Sequence, residues 1–463
     1  MEQVMQYIAA NKERYLSELK DFLSIPSVSS QSSHNADTQR CAQWVADHMR
    51  SIGMNNVKVM PTPGHPVVYS EWLGAPGAPT VLFYGHYDVQ PVDPLNLWDS
   101  PPFEMSIRGE KIFARGSADD KGQVFIHFKG IEALMKRNGR LPVNVKMLIE
   151  GEEEVGSANL DDFVKANKEL LKADLVLISD SSMFAKGVPS ICYALRGLSY
   201  LEIEVAGPNR DLHSGSFGGS VHNPIQALSE MIASLHDKNG RITIPGFYKT
   251  VRPLSKAERD AFRKLPFKEK AYAKELGVKE LYGEKGFSSL ERVWARPTLE
   301  CNGIWGGYTG EGAKTVLPSK AFAKISCRLV PDQTSGAVAK LVEKHLKKIA
   351  PKTVDVKVTF LHGGEAAITP IDSAGVKAAV AALEKGFGKK PLYQREGGSI
   401  PIVVQFKKLL GLDTVLLGFG LPDENAHSPN EFLNIDNFYG GIRTSVHFFT
   451  ELPSYWGKKA VRK

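Results

Sequence analysis

The sequence predicts an α/β fold with a mixed, mostly parallel sheet flanked by helices, into which a smaller α+β domain is inserted. The first observation is that strand and helix patterns alternate over residues 80–179, which is typical of a parallel sheet. The second is a change near residue 197 to strands with one polar face, which indicates an antiparallel or half-covered sheet. The third is the return of the α/β pattern after residue 369. We therefore expect a discontinuous first domain of residues 1–196 and 369–463 and an inserted domain of residues 197–368.

Apolar spacing predicts the elements of the first domain. Residues 9–23 and 42–52 have the spacing of amphipathic helices, and Pro26 follows the first of them. Later strands are predicted at residues 80–84, 143–149 and 175–179, and helices at 122–137, 160–172 and near 375–383. Apolar runs follow at 401–406 and 414–418. Because the run at 80–84 is almost continuously apolar, this strand should be buried on both faces.

The inserted domain has a different pattern. In residues 201–205, Leu, Ile and Val alternate with two glutamates, so one face of that strand should contact water. Asn223 and Pro224 predict a helix start, because asparagine caps helices and proline is tolerated in the first turn. Residues 253–285 are charged and helical in pattern and resemble an additional insertion.

Length and composition bound the class of protein. A chain of 463 residues exceeds what one core organises, so two domains are expected. The net charge of +7 is small for this length and evenly spread, which predicts no nucleic-acid partner but favours small anionic substrates. The four cysteines form no CxxC pair, no run is long enough to span a membrane, and the N-terminus lacks a secretory pattern. We therefore expect a cytoplasmic protein without a membrane partner.

Acidic residues and histidines follow the predicted strands. His86 and Asp88 end the first strand, the pair Asp119 and Asp120 precedes a helix, and Glu152, Glu153 and Glu154 end the next strand. Asp180 ends a third strand, and His427 lies far downstream. Three adjacent carboxylates after a core strand repel one another unless a cation or protons intervene. Mixed nitrogen and oxygen donors suit Zn²⁺, with Mn²⁺ or Co²⁺ as alternatives, so the pattern predicts a metallohydrolase.

Each element alone has a simpler interpretation. The pair His86 and Asp88 also fits a histidine hydrogen-bonded at a turn, and an aspartate at 119 or 120 also fits a helix cap. Only the combination of two histidines with several carboxylates at strand ends favours a site that holds two metal ions.

In order along the chain, the strings YGHYDVQP, ARGSADDKG, EGEEEVGS, DLHSG, CRLVP, REGGSIP and NAHSPNE are similar to those of a known family. The chain resembles, over nearly its whole length, the two-zinc dipeptidases related to carnosinase and cytosolic nonspecific dipeptidase, which are kin to aminoacylase and glutamate carboxypeptidase. The resemblance implies a zinc-peptidase-like catalytic domain, an inserted domain that acts as a lid and dimerises, and hydrolysis of dipeptides.

The resemblance also implies the role of each metal-site residue. His86 and Asp180 would bind one zinc ion, Glu154 and His427 would bind the other, and Asp119 would bridge them. Glu153 would be the general base, Asp88 would hold His86, and a cis peptide bond often follows the bridging aspartate. Glu152 has no implied role, and we expect it to be a solvated neighbour.

Substrate residues are implied in the inserted domain and after it. His213 would stabilise the oxyanion, reaching into the partner subunit's site of a homodimer, and Arg328 would bind the substrate carboxylate with Thr315 nearby. His362 would be a second substrate histidine, and backbone amides around Gly398 and Ser399 would bind the same anion. Alone, each of these residues also fits a loop or solubilising position.

Two alternative functions use the same sequence features. An N-acyl amino acid or acyl-diamine deacylase would have the same metal centre with a different acyl pocket. Relatives of that type tend to carry Glu at the position of Asp180, so the aspartate favours dipeptide cleavage. A non-catalytic binding protein would have lost Glu153 or a metal ligand, and the chain keeps them all.

Overall fold

The structure is a computed structural model and describes residues 1–457. The end of the expected first domain, residues 458–463, lies outside the described residues. The α-helices are, in chain order, α1 Glu2–Ala10, α2 Lys12–Leu23, α3 Asn35–Ser51, α4 Lys121–Asn138, α5 Leu160–Ala166, α6 Ser214–Phe217, α7 Pro224–Ala233, α8 Lys256–Lys264, α9 Glu269–Glu275, α10 Ser289–Ala295, α11 Ser335–Ile349, α12 Ala374–Phe387, α13 Pro401–Leu410 and α14 Ile435–Tyr455.

The strands are β1 Asn55–Met60, β2 Val67–Trp72, β3 Thr80–His86, β4 Ser106–Arg108, β5 Lys111–Phe113, β6 Asn144–Glu150, β7 Leu175–Ile178, β8 Ser190–Leu195, β9 Gly197–Ala206, β10 Leu212–His213, β11 Thr298–Gly306, β12 Val316–Leu317, β13 Lys320–Leu329, β14 Asp355–Gly364, β15 Ala367–Ile368, β16 Leu392–Glu396, β17 Thr414–Leu416 and β18 Phe432–Asn434.

The chain divides into two compact units. Among the described residues, unit 1 contains residues 1–193, 369–394 and 405–457, and unit 2 contains residues 194–368 and 395–404. The short segment 395–404 thus groups with unit 2, whereas the sequence placed it in the first domain. This segment contains Ser399, one of the predicted substrate-binding residues.

Unit 1 is built on a mixed sheet in which β1, β2, β6, β3, β7, β17 and β8 are neighbours in that order. The predicted mixed α/β class is confirmed, and the four central strands β6, β3, β7 and β17 pair in parallel. Strand β3 is buried along nearly its whole length, as its continuous apolar run predicts. Parallel strands end at the same edge, so the residues that follow β3, β6, β7 and β17 are brought together there.

Unit 2 is built on an antiparallel sheet with the order β11, β13, β9 and β14. Buried and half-exposed residues alternate strictly along β9, which confirms the predicted strand with one polar face. The buried face packs against α7 and α11 to form a separate core. The side chain of Asn223 accepts a hydrogen bond from the backbone of Ile225 at 2.9 Å, so the predicted cap of α7 is confirmed.

Two predicted elements are shorter than expected. The helix expected at residues 9–23 begins at Lys12, because the non-helical backbone of Asn11 separates α1 from α2. The helix expected at 160–172 ends at Ala166. Both misplacements concern helix ends, which local caps and tertiary contacts decide. Within residues 1–457, none of the helices combines the length and the apolar character needed to cross a bilayer.

Candidate functional site

Three central strands deliver acidic or imidazole side chains to one edge of the sheet in unit 1. His86 is the last residue of β3, and Asp180 follows the end of β7. Glu153 and Glu154 lie in a 3-10 turn, Glu153–Val155, that follows β6. Because these strands are parallel, the side chains meet above the carboxyl ends of the sheet.

The first potential ligand group contains His86, Asp119 and Asp180. One donor atom from each lies within 4.8 Å of the others. The Nε2 atom of His86 is 3.2 Å from Asp119 Oδ1 and 4.0 Å from Asp180 Oδ2. This Nε2 atom is buried and has no hydrogen-bond partner among the described residues.

The second potential ligand group contains Asp119, Glu154 and His427. The Nε2 atom of His427 is 2.9 Å from Asp119 Oδ2 and 3.3 Å from Glu154 Oε2. Asp119 therefore presents one carboxylate oxygen to each histidine and belongs to both groups. The peptide bond from Asp119 to Asp120 is cis, as the resemblance implies.

Charge crowding shows that cations fit this arrangement. Burial and the nearby Asp119 carboxylate raise the pKa of Asp180 well above its ordinary value. Burial likewise raises the pKa of Glu153 to about 8, although the charge of His86 opposes it. Hydrogen bonds to Asp119 and Glu154 raise the pKa of His427 to about 10. Several carboxylates thus compete for few positive charges, and the mixed nitrogen and oxygen donors suit a first-row metal ion.

Asp88 is fully buried and fixes two parts of the centre at once. The Nδ1 atom of His86 lies 3.1 Å from the Asp88 carbonyl oxygen and 3.4 Å from its carboxylate, which leaves Nε2 to face the acidic group. The same carboxylate accepts hydrogen bonds from the backbone amides of Glu153 and Glu154, at 3.3 and 3.1 Å. Ser29 donates a further hydrogen bond to it at 2.7 Å.

Glu431 is a positioning residue that the sequence analysis did not identify. Its buried carboxylate accepts hydrogen bonds from the backbone amides of Gly116, Ala118 and Asp119, at 2.9, 2.8 and 3.1 Å. Arg115 pairs with it at 2.8 Å. Glu431 therefore holds the loop that carries the shared aspartate. It lies within the string NAHSPNE, but nothing in its local spacing indicates these distant partners.

Two further side chains support the ligand groups. Gln90 donates a hydrogen bond to Glu154 Oε2 at 2.7 Å and so orients this carboxylate. Asp120 occupies the cap position of α4 but makes no side-chain cap hydrogen bond. Its Oδ2 instead accepts from the backbone amide of His86 at 3.3 Å. For Asp120, the helix-cap alternative is therefore wrong, because its carboxylate faces β3.

The expectation that Glu152 is a solvated neighbour is also wrong. Its side chain is buried, and the amide of Asn159 donates to both carboxylate oxygens, at 3.1 and 2.9 Å. The turn after β6 directs Glu152 toward the following loop and not toward water.

A third acidic group lies elsewhere in unit 1 and consists of Glu18, His48 and Glu132. Its charges are already balanced, because Lys129 and Arg14 each pair with both glutamates. This balance distinguishes it from the centre around Asp119.

The predicted substrate residues lie in unit 2, and the structure divides them between two places. Arg328 donates to Ser399 Oγ at 3.3 Å, and Gly398 lies beside this serine in the loop at 397–399. His362 stacks on Tyr200, with ring centroids 5.2 Å apart, on β14 next to β9. Arg328, Ser399 and His362 thus lie toward the same end of the four-stranded sheet.

His213 and Thr315 lie beyond the other end of this sheet. His213 pairs with Val316 on the short ladder of β10 and β12, and Thr315 directly precedes β12, where its carbonyl accepts a hydrogen bond from the backbone amide of Ser214 at 3.0 Å. The Nδ1 atom of the exposed His213 accepts from the backbone of Gly215 at 3.0 Å. Thr315 precedes Lys320, the first residue of β13, and Arg328 is eight residues farther along. At ~3.3 Å per residue, the strand alone places these ends about 26 Å apart.

Comparison with known proteins defines the class. The Schizosaccharomyces pombe protein named Cys-Gly metallodipeptidase dug1 is 34% identical over 469 residues, which cover 98% of each chain. Human Beta-Ala-His dipeptidase is 32% identical over 471 residues, which cover 98% of this chain and 92% of the human one. The M20 family metallo-carboxypeptidase Sso-CP2 from Sulfolobus solfataricus has a TM-score of 0.81 at 36% identity, with 95% of this chain and 99% of that chain covered.

The fold, the two ligand groups and these relatives define a metallopeptidase. The family model for Peptidase family M20/M25/M40 matches residues 82–451, which is most of the chain. The chain belongs to this family and is a peptide-bond hydrolase. The family resemblance inferred from the sequence motifs is confirmed.

The arrangement around Glu431 predicts a loss of metal affinity in the Glu431→Gln variant. An amide offers one acceptor oxygen where three backbone amides and Arg115 need partners, so the loop with Asp119 should loosen. We expect metal affinity to fall about 10- to 100-fold, measured by titrating the metal-free protein with Zn²⁺. The exposed Glu280→Gln is the matched control and should titrate like the wild type. Equal affinity in both variants would show that Glu431 does not position the centre.

Proposed function

We propose that this chain is a metal-dependent dipeptidase that hydrolyses the amide bond of dipeptides with a free C-terminal carboxylate. The observation that carries this proposal is the single carboxylate of Asp119 shared between two ligand groups. The fungal and human relatives match nearly the whole chain, and both are named dipeptidases. These names support the substrate class.

Two divalent ions, which we assign as Zn²⁺ with Mn²⁺ or Co²⁺ as alternatives, fit the donor atoms. His86 and Asp180 would hold one ion, Glu154 and His427 would hold the other, and Asp119 would contact both. When bound, such ions lower the pKa of a water molecule and polarise the carbonyl of the scissile bond.

Glu153 is the general base in this proposal. It follows β6 directly and lies between Glu152, which is bound to Asn159, and the ligand Glu154. No salt bridge occupies Glu153 among residues 1–457, so its carboxylate is available to take a proton and pass it to the leaving amine. Asp88 fixes the backbone amide of Glu153 and the ring of His86 together.

Arg328 binds the carboxylate end of the substrate in this proposal. A guanidinium grips a carboxylate through two parallel hydrogen bonds, and Ser399 fixes one side of this guanidinium. The exposed backbone at Gly398 and the ring of His362 contribute further polar contacts to the substrate. None of the four cysteines forms a disulfide bond within residues 1–457, which is consistent with a cytoplasmic enzyme.

We further propose a homodimer formed through unit 2, in which His213 acts in the partner's site. His213 and Thr315 are separated from Arg328 by the length of β13, so one copy of unit 2 does not gather all these groups. Strand β11 is an edge of the sheet and exposes Ile304 and Trp305, which are 49% and 43% accessible. An apolar edge of this kind is a natural surface for a second copy.

The substrate class is tested by a panel of substrates with metal-free and metal-restored enzyme. We expect Cys-Gly and Ala-Ala to be hydrolysed, with N-acetyl amino acids and tripeptides at least about tenfold poorer in kcat/KM. Chelation should abolish turnover and Zn²⁺, Mn²⁺ or Co²⁺ should restore it. Faster hydrolysis of N-acetyl amino acids would instead establish a deacylase, and hydrolysis that survives verified metal removal would refute the metal requirement.

The role of Glu153 predicts that Glu153→Gln keeps both metal ions but loses turnover. Removing a general base costs about 10²- to 10⁴-fold in rate, and metal content by elemental analysis should stay at the wild-type value. The matched control is Glu152→Gln, because the Glu152 carboxylate accepts hydrogen bonds from Asn159 and belongs to neither ligand group described above. A Glu153→Gln enzyme with near wild-type kcat would remove Glu153 from this role.

The proposed dimer predicts complementation between two inactive variants. A heterodimer of His213→Ala and Glu153→Ala subunits contains one site in which both side chains are present, if His213 acts across the interface. We expect activity to return on co-expression of the two variants and not in either homodimer, measured after tandem affinity purification of heterodimers. Purified heterodimers without activity would place His213 in the site of its own subunit.

A further inference from the structure

A cavity of about 610 Å³ opens within unit 2 and is rich in arginine. It is lined by Arg328 and Ser326 of β13, by Thr298 and Glu300 of β11, and by Arg196. Arg292 and Arg296 also line it, but both are engaged with Glu284, through its carbonyl oxygen and its carboxylate respectively. Arg196 and Arg328 form no ion pair with any residue of the described part of the chain, and neither of them is bonded to Glu284.

Arg196 is buried, with 8% of its surface exposed, yet its guanidinium is only partly satisfied. Its Nε donates to the Gly397 carbonyl at 3.1 Å, and its backbone amide donates to the Gly398 carbonyl at the same distance. Its Nη1 atom is buried without a hydrogen-bond partner in the described residues. Burying a charged donor without an acceptor costs free energy, so an acceptor atom on a bound molecule would stabilise this nitrogen.

The two arginines without an ion pair line the same cavity. Arg328 pairs in register with Leu198, two residues after Arg196, and it is close enough for its charge to act on the Arg196 guanidinium. Burial and the charge of Arg328 lower the pKa of Arg196 to about 10, although the charge of Glu300 opposes this shift, so Arg196 is cationic at neutral pH. The carboxylate in the cavity that is not engaged by an arginine belongs to Glu300, which is exposed and forms no ion pair in residues 1–457.

We propose that Arg196 is a specificity-determining residue that binds the side-chain carboxylate of an acidic C-terminal residue, while Arg328 binds the main-chain carboxylate. This inference rests on the dipeptidase function proposed above and adds to it a preference, among dipeptides, for those that end in glutamate or aspartate. Two carboxylates on one residue match two unpaired guanidinium groups in one cavity. The neutral glutamine side chain has the same shape and can accept one hydrogen bond from Nη1, but it lacks the charge that strengthens this bond.

The substrates Ala-Glu and Ala-Gln test the proposal, because they have the same shape and differ in one charge. The wild-type enzyme should hydrolyse Ala-Glu with a kcat/KM about 10- to 100-fold above that of Ala-Gln, as expected for a hydrogen bond to a buried charge. In Arg196→Met this preference should disappear through the loss on Ala-Glu, while the kcat/KM for Ala-Gln should fall by no more than about threefold. Arg292→Met is the matched control, since its guanidinium lines the same cavity but is already bonded, and should keep the preference.

Three results would overturn the proposal. One is a wild-type enzyme with equal kcat/KM for the two substrates. Another is an Arg196→Met enzyme that loses activity equally on both, which would show that Arg196 serves the main-chain carboxylate or only holds the loop at 397–399. The third comes from calorimetry, which tests binding without turnover: wild-type protein should bind L-glutamate more tightly than L-glutamine, and equal affinities would refute the subsite. If no dipeptide is hydrolysed at all, the calorimetric comparison still decides the subsite separately from the proposed function.

Discussion

The crowding of carboxylates around Asp119 is the constraint on which the rest of the site depends. Asp119 faces a histidine on each side, and Asp180 and Glu154 add negative charge that the two imidazoles do not balance. Such a cluster is stable only with cations or extra protons. The sheet supplies the geometry, because parallel strands end at one edge, and the loops after them supply the donors.

Buried carboxylates that belong to neither ligand group hold these loops in place. Asp88 fixes the turn after β6, Glu431 fixes the loop before α4, and Glu424 accepts from the backbone of Leu421 and Asn434 on either side of His427. Each negative charge is compensated by backbone amides, which is how a buried carboxylate avoids the penalty of desolvation. The positions of the side chains in the two ligand groups therefore depend on these acidic hydrogen-bond acceptors as well as on the strands.

The sequence predicted the parts of the site that follow from strand ends. His86, Asp180 and Glu154 come directly after apolar runs, and the structure places them at one edge. The positioning role of Glu431 was not predicted, because the residues that it contacts lie more than 300 positions away in the chain. The buried guanidinium of Arg196 was not predicted either, because no local sequence pattern indicates it. The burial of Glu152 and the direction of Asp120 were also mispredicted, because turn geometry decides where adjacent carboxylates point.

The double attachment of Asp88 ties the geometry of the proposed metal ligand His86 to the proton transfer proposed for Glu153. Its backbone carbonyl and carboxylate face one imidazole, while the carboxylate also receives the amides of the acidic turn. Any substitution that shifts this anchor displaces the imidazole and the proton acceptor together. Laboratory evolution toward another cation therefore cannot adjust this anchor without also changing the chemical step, and variants that separate the two properties must be sought elsewhere, for example at Gln90.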